Sequence, residues 1–217
     1  MSNRVVMVGG SLLSFVDGFS PQEQQDIMGS LALAQYSADK NVKPNSPLTD
    51  WFDLFCDSLL DVGWEVDEEV LSLGPKKEGV FFSLEEAVLA GLTHVEQASL
   101  HAALKHSIEA LKLDEASQEM FESRNRKHLM SHYQFVPCEP RNEFGSYMFV
   151  SGMRVTTHFE LDNIFFNNKK IKTDAALDVQ TASGGFYLKT EDYDPYRETV
   201  LQKLSEIGDD FFRNLKH

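Results

Sequence analysis

The spacing of apolar residues changes period near Met130, and this change constrains the fold more than any other feature of the chain. Before it, apolar side chains recur every three or four residues, as on one face of a helix. After it, short aromatic and β-branched runs alternate with turn-forming residues. Helices followed by a run of strands argue for an α+β fold with an antiparallel sheet, not for alternating βαβ units.

The helix starts are legible. Ser20-Pro21-Gln22-Glu23 places Ser at the N-cap, Pro at the first turn and Glu where it can reach back to the cap. The helix it opens carries Ile27, Leu31, Ala34 and Ala38 on one stripe. Ser46-Pro47 repeats the start; Leu48, Trp51, Phe52, Phe55, Leu59 and Val62 form the apolar face, and Gly63 is placed to end the helix. Ser83-Leu84-Glu85-Glu86 and Thr93-His94-Val95-Glu96 are further capping boxes. The second of these opens a helix to Leu113 with Leu100, Leu104, Ile108 and Leu111 inward, and a more polar helical segment follows over 114–130.

Strands are expected at 133–136, 147–150, 154–161, 164–166 and 186–188. Pro137-Cys138-Glu139-Pro140 should end the first of these, and Asn167-Asn168-Lys169-Lys170 and Ala182-Ser183-Gly184-Gly185 should be turns. Asp194-Pro195 should open a closing helix with Tyr196, Val200, Leu204, Ile207 and Phe211 on one face. The sum is a single α+β domain over 1–217. An N-terminal helical layer packs on a small antiparallel sheet, and the C-terminal helix closes it. A subdomain seam falls near 130–143, with 1–130 mainly helical and 131–217 forming the strands and last helix.

Residues 5–16, behind Arg4, loosely resemble the apolar core of a signal peptide. No small-x-small pair follows, and Gly9, Gly10 and Ser11 interrupt the run. An N-terminal strand or buried arm is expected, and no run is long enough to span a bilayer. Two cysteines, Cys56 and Cys138, make no disulfide framework and point to a reducing compartment, or to one optional bridge. The location read from this is cytoplasmic, with signal-independent secretion left open.

Charge narrows the partners. Twenty Lys and Arg against 34 Asp and Glu give a formal charge of −14. A free-standing nucleic-acid binder needs a basic face, and so does a protein held on anionic lipid by charge. Part of the acid is ordered. Asp50, Asp53, Asp57 and Asp61 fall on the back of the second helix, continued by Glu65, Asp67, Glu68 and Glu69. This is either a solvated face or a docking surface for a basic protein.

Catalytic signatures are missing. His94, His101 and His106 share a helix, but His94 and His101 stand about 10.5 Å apart along its axis and His106 lies roughly 140° from His101. His128 and His132 form the only i, i+4 histidine pair. They can share a metal if the helix continues to His132, yet Leu129 stands where a metalloprotease helix has Glu, and no third ligand is near. His158 alternates with Arg154, Thr156 and Glu160, the pattern of a solvated sheet face. Gly9-Gly10-Ser11 lacks a phosphate-binding Lys and reads as a turn or a relief of crowding. No Gly-x-Ser-x-Gly occurs, and neither cysteine carries a nucleophile signature. The run Arg124-Asn125-Arg126-Lys127-His128 suits a helix end, or contact with a phosphate-bearing partner. No cofactor is expected.

Leu31-Ala32-Leu33-Ala34-Gln35, then Trp51, then Gly63-Trp64-Glu65-Val66, an aromatic β segment and Glu191-Asp192-Tyr193-Asp194-Pro195-Tyr196-Arg197 occur in this order. The order resembles an uncharacterised, mainly bacterial protein family with a helical N-terminal half and a β-rich C-terminal half. The resemblance implies a fold and no activity, so it assigns no functional residue. The reading that follows is a non-enzymatic bacterial protein acting by protein–protein contact, of the immunity or inhibitor type, toward a basic partner. A membrane-active or toxin-associated protein is one alternative. A metal-dependent enzyme built on His128 and His132 is the other.

Overall fold

The N-terminal apolar run forms a strand, β1 (Arg4–Val8), and turns at Gly9-Gly10 into an antiparallel partner, β2 (Ser11–Phe15). The computed structural model describes residues 4–43, 46–73, 97–127, 130–141, 145–157, 177–206 and 212–215. Helices α1 (Pro21–Asn41) and α2 (Leu48–Leu60) follow the hairpin and lead to strand β3 (Glu65–Leu73). Helices α3 (Ala98–Leu113) and α4 (Glu115–Asn125) come next, then β4 (Arg126–Lys127), β5 (Met130–Arg141), β6 (Gly145–Thr157) and β7 (Leu177–Leu188). Helix α5 (Thr190–Ser205) and strand β8 (Phe212–Asn214) end the chain.

The fold is α+β. Its strands form one sheet in the order β3-β7-β6-β5-β2-β1-β8, with β4 paired to β5 beside this path. Two features differ from the small antiparallel sheet expected. The sheet is mixed, because β2 runs parallel to β5, from Ser11 opposite Gln134 to Phe15 opposite Cys138. It also draws β1, β2 and β3 from the half expected to be helical. All five residues of β2 are buried, so both faces of the sheet need cover there.

The cover comes from both sides. On one face α1 and α2 pack Ile27, Leu31, Phe52, Phe55 and Leu59 onto Val6, Leu13, Phe15, Val136, Met148, Val150 and Phe186. On the other, α3 and α4 pack Leu100, Leu104, Ile108 and Phe121 onto Val5, Met7, Leu12, Phe135 and Phe149. Strand residues therefore alternate between two cores, and a register slip of one residue would exchange them.

Ser20 caps α1 as expected. Its Oγ accepts from the Glu23 N–H, and Glu23 Oε2 accepts from the Ser20 N–H at 2.7 Å. Ser46 does not cap α2: Pro47 is the N-cap without a side-chain bond, and the Ser46 carbonyl instead accepts from Arg154. Gly63, at φ 91°, ends α2, and the Trp64 N–H closes back on the Leu59 carbonyl. The capping boxes at Ser83 and Thr93, and the segments around 164–170, lie outside the described residues.

An expected strand end and an expected turn are both strand instead. β5 runs through Pro137 and Pro140, its pairing with β6 resuming at Cys138 opposite Met148 in unchanged register. Likewise β7 runs through Ser183-Gly184-Gly185. At Gly185 a Cβ would overlap the Tyr147 hydroxyl and lie 3.0 Å from the Asp67 Cβ, so the glycine makes room for a cross-strand aromatic. Helix α5 begins at Thr190 and holds Pro195 inside it. Its buried residues are Tyr193 and Val200, while Tyr196, expected inward, is exposed.

α5 is tied to α1 by a forked pair. Arg197 Nε donates to Asp26 Oδ1 and Nη2 to Asp26 Oδ2, each at 2.8 Å. Gln22 Nε2 also donates to Asp26, which is buried. Such bidentate contacts are both strong and orienting. Arg197 further contacts Asp194 at 2.7 Å, but on the surface.

Replacing Asp26 by Asn should lower stability by about 1–3 kcal/mol, since it removes the buried charge and sets an amide donor where one of the two accepting oxygens faced the guanidinium. Asp194→Ala should cost no more than about 0.5 kcal/mol. Urea midpoints at unchanged slope measure both. The thiols give a second prediction. Cys138 is fully buried, and burial raises its pKa. Burial first, then Asp53 and Asp57, push Cys56 up to about 12. Both should resist a thiol reagent at pH 8 until denaturant is added; rapid stoichiometric labelling of native protein would contradict this packing.

Candidate functional site

The expected acidic surface is divided by the sheet. Asp50, Asp53, Asp57 and Asp61 are exposed along α2, opposite its buried Trp51, Phe52 and Phe55. Glu65 and Asp67 alternate with Val66 in β3, and Val66 packs on the core beneath α2. The two acids therefore belong to the other sheet face. Glu65 is exposed. Asp67 is half-buried, and its Oδ2 accepts from the Tyr187 hydroxyl at 3.1 Å and the Tyr147 hydroxyl at 3.4 Å. Burial, with Asp67 beside it, raises the Tyr147 pKa and keeps this donor protonated. The side chains of Glu68 and Glu69 lie outside the described residues.

The histidine pair loses its helical spacing. α4 ends at Asn125 and His132 stands in β5, so the two cannot occupy successive turns of one helix. His128 itself lies outside the described residues, as do His94 and His158. Among the described residues no three His, Cys, Asp or Glu side chains are placed to hold a metal ion. None of the described helices is long and apolar enough to cross a membrane.

His132 has a different setting. It is opposite Arg154 across β5 and β6, and Arg154 is opposite Gln180 across β6 and β7. One row along, Ser11 is opposite Gln134. These polar rows end the apolar core on the α1–α2 side of the sheet. Gln35 reaches down from α1, and its Nε2 donates to Gln134 Oε1 at 2.7 Å and to Ser11 Oγ. Ser11 Oγ donates to the same Gln134 oxygen. The Gln134 amide oxygen is thus saturated, while its Nε2, on a residue 2% exposed, has no hydrogen-bond partner among the described residues.

A cavity of about 90 Å³ opens over these rows. Gln134, His132 and Arg154 form its sheet wall, Asp39 and Lys43 come from the end of α1 and the loop after it, and Trp51 from α2. Trp51 Nε1 donates to Asp39 Oδ1 at 2.8 Å, and the indole meets the His132 ring edge-on at 4.4 Å. Arg124, at the end of α4, also lines the cavity and donates to the Gly9 carbonyl at 3.1 Å. Asn125 beside it packs against Gly10, where a Cβ would overlap its Oδ1. Relief of crowding is therefore part of what Gly9-Gly10 supplies.

Arg154 corrects the expectation of a solvated strand face. It is 6% exposed. One Nη donates to the Ser46 carbonyl, and its Nε has no hydrogen-bond partner among the described residues. Burial lowers its pKa, and Asp50 opposes that. Sequence reasoning missed Gln35, Gln134 and Arg154 as a group. Their signal was polarity on apolar faces: Gln35 beside the Leu31 and Ala34 stripe, and Gln134 between Tyr133 and Phe135.

A second groove lies on the outer side of α1, α2 and α5. It has a volume of about 190 Å³ and is lined by Leu33, Ser58, Asp61, Val62, Tyr196 and Val200, among others.

No protein-family model matches the chain, and no curated protein sequence does. Among solved structures the chain is similar to the Evf virulence factor, at a TM-score of 0.37 and 11% sequence identity, over 94% of this chain and 80% of that one.

Proposed function

We propose that the protein works by contact, without catalysing a reaction, and that it binds a basic protein through the outer face of α2, as an inhibitor or immunity protein would. The supporting observation is a groove of mixed apolar and polar lining, with Lys203 at one wall, beside an ordered acid row. Asp53, Asp57 and Asp61 stand one turn apart on α2, and Asp61 also lines the groove that holds Leu33, Val62 and Tyr196. Leu60, Tyr196 and Leu201 are exposed on the same helices. Protein interfaces are built this way, with an aromatic or aliphatic centre and a polar rim.

The charges have a separate task. A net −14 speeds encounter with a cationic partner and repels acidic ones. Rim charges act mainly on the association rate, whereas an anchoring aromatic acts mainly on dissociation. In this reading the cytoplasm, which keeps Cys56 and Cys138 as free thiols, is the place of action.

A pull-down from lysate at low and high salt tests the proposal. A basic protein should be retained at low salt and released at high salt. Replacing Asp53, Asp57 and Asp61 together by Asn should slow association by about tenfold or more and flatten the salt dependence. Tyr196→Ala should speed dissociation instead. A wild-type bait that holds no protein at low salt removes the proposal's basis.

A further inference from the structure

The cavity over the polar rows lies under Trp51, away from the groove beside Asp61, and its chemistry has the opposite sign. We propose that it binds a small organic carboxylate, received by Gln134 and Arg154.

Gln134 and Arg154 both line this one cavity, and Gln134 Nε2 and Arg154 Nε are buried donors without a hydrogen-bond partner among the described residues. An unmade hydrogen bond at a buried donor is costly, so folds rarely leave two at one place without something to fill them. What is missing at both is an acceptor. Turning the Gln134 amide alone does not relieve this. Its oxygen is held by Ser11 and Gln35, and turning would set two amide nitrogens against each other.

Water can accept these hydrogen bonds but cannot balance the charge. Buried charges in proteins are paired. Arg154 is more than nine-tenths buried, its guanidinium donates to a neutral carbonyl, and the carboxylate acting on it, Asp50, is exposed. Lys43 and Arg124 add positive charge to the same walls. The acid among the lining residues, Asp39, already accepts from Trp51. An anion entering the cavity would thus supply the counter-charge that the fold withholds.

Shape and charge together favour a carboxylate over phosphate. About 90 Å³ is the room of roughly three waters, enough for a carboxylate with a small body. Trp51, Val42 and Met130 give that body apolar walls, as ligand pockets usually do beside a few placed polar groups. Asp39 in the wall and Asp50 near Arg154 would repel a dianion more than a monoanion.

Acetate, its neutral isostere acetamide and inorganic phosphate are the probes. Binding to the unaltered full chain is read by the thermal midpoint. Trp51 fluorescence is read in a Trp64→Phe background. Acetate should bind saturably with Kd below about 1 mM, and acetamide and phosphate about tenfold more weakly or worse. Gln134→Glu sets a carboxylate where the unpaired donor stood, and Arg154→Met removes the charge; each should weaken acetate by about tenfold or more. If either variant fails to fold, the comparison of the three probes on the unaltered chain still decides. No saturable acetate response at about 10 mM, or acetamide bound as well as acetate, overturns the proposal. Phosphate bound as tightly as acetate overturns it too.

Discussion

The parallel pairing of β2 with β5 is the contact on which the rest of the architecture depends. It joins Ser11 to Gln134 and Phe15 to Cys138 across more than a hundred residues of chain. Without it the N-terminal hairpin, with only the short β8 at its other edge, would be cut off from the rest of the sheet. With it, β2 becomes an interior strand of a broad sheet, buried on both faces. That burial obliges helices to lie on each side. α1 and α2 take one face and α3 and α4 the other, although the order of elements along the chain does not alternate.

The same pairing creates the polar end of the core. Ser11 and Gln134 are opposite each other because of it, and Gln35 from α1 completes their hydrogen-bond network. The network fixes which atom of Gln134 accepts and which is left over. Next to it, Arg154 is buried by the sheet it belongs to and by the approach of the chain into α2, through the Ser46 carbonyl. The chain is strongly acidic outside, yet at this point it keeps a guanidinium and an amide donor inside. The two electrostatic features sit on separate sides of α2: exposed aspartates outward, and the cavity under Trp51 inward.

Much of this was legible one element at a time. The cap at Ser20, the inward stripe of α1, the apolar face of α2 with its stop at Gly63 and the inward leucines of α3 all follow from local spacing. Local physics fixes them, since a helix face or a cap is complete within a few residues. Local reading failed at Pro137, Pro140, Gly184 and Gly185, taken as breakers. There, neighbouring strands hold the backbone extended, and the missing Cβ of Gly185 is filled by Tyr147. It failed again at Arg154, whose alternation with Thr156 looked like a solvated face and is covered by the α1–α2 layer.

By itself, then, the sequence determined the helices, their buried faces, the acid row of α2 and the α+β class, because each is set by spacing within one element. Tertiary structure alone decided that β1 and β2 enter the sheet beside β5, that Glu65 and Asp67 part from the α2 acids, and that Gln35, Gln134 and Arg154 meet at one cavity. The reason is common to all three: strand partners are chosen by burial across the whole chain, and no local period records which distant strand a given one will meet.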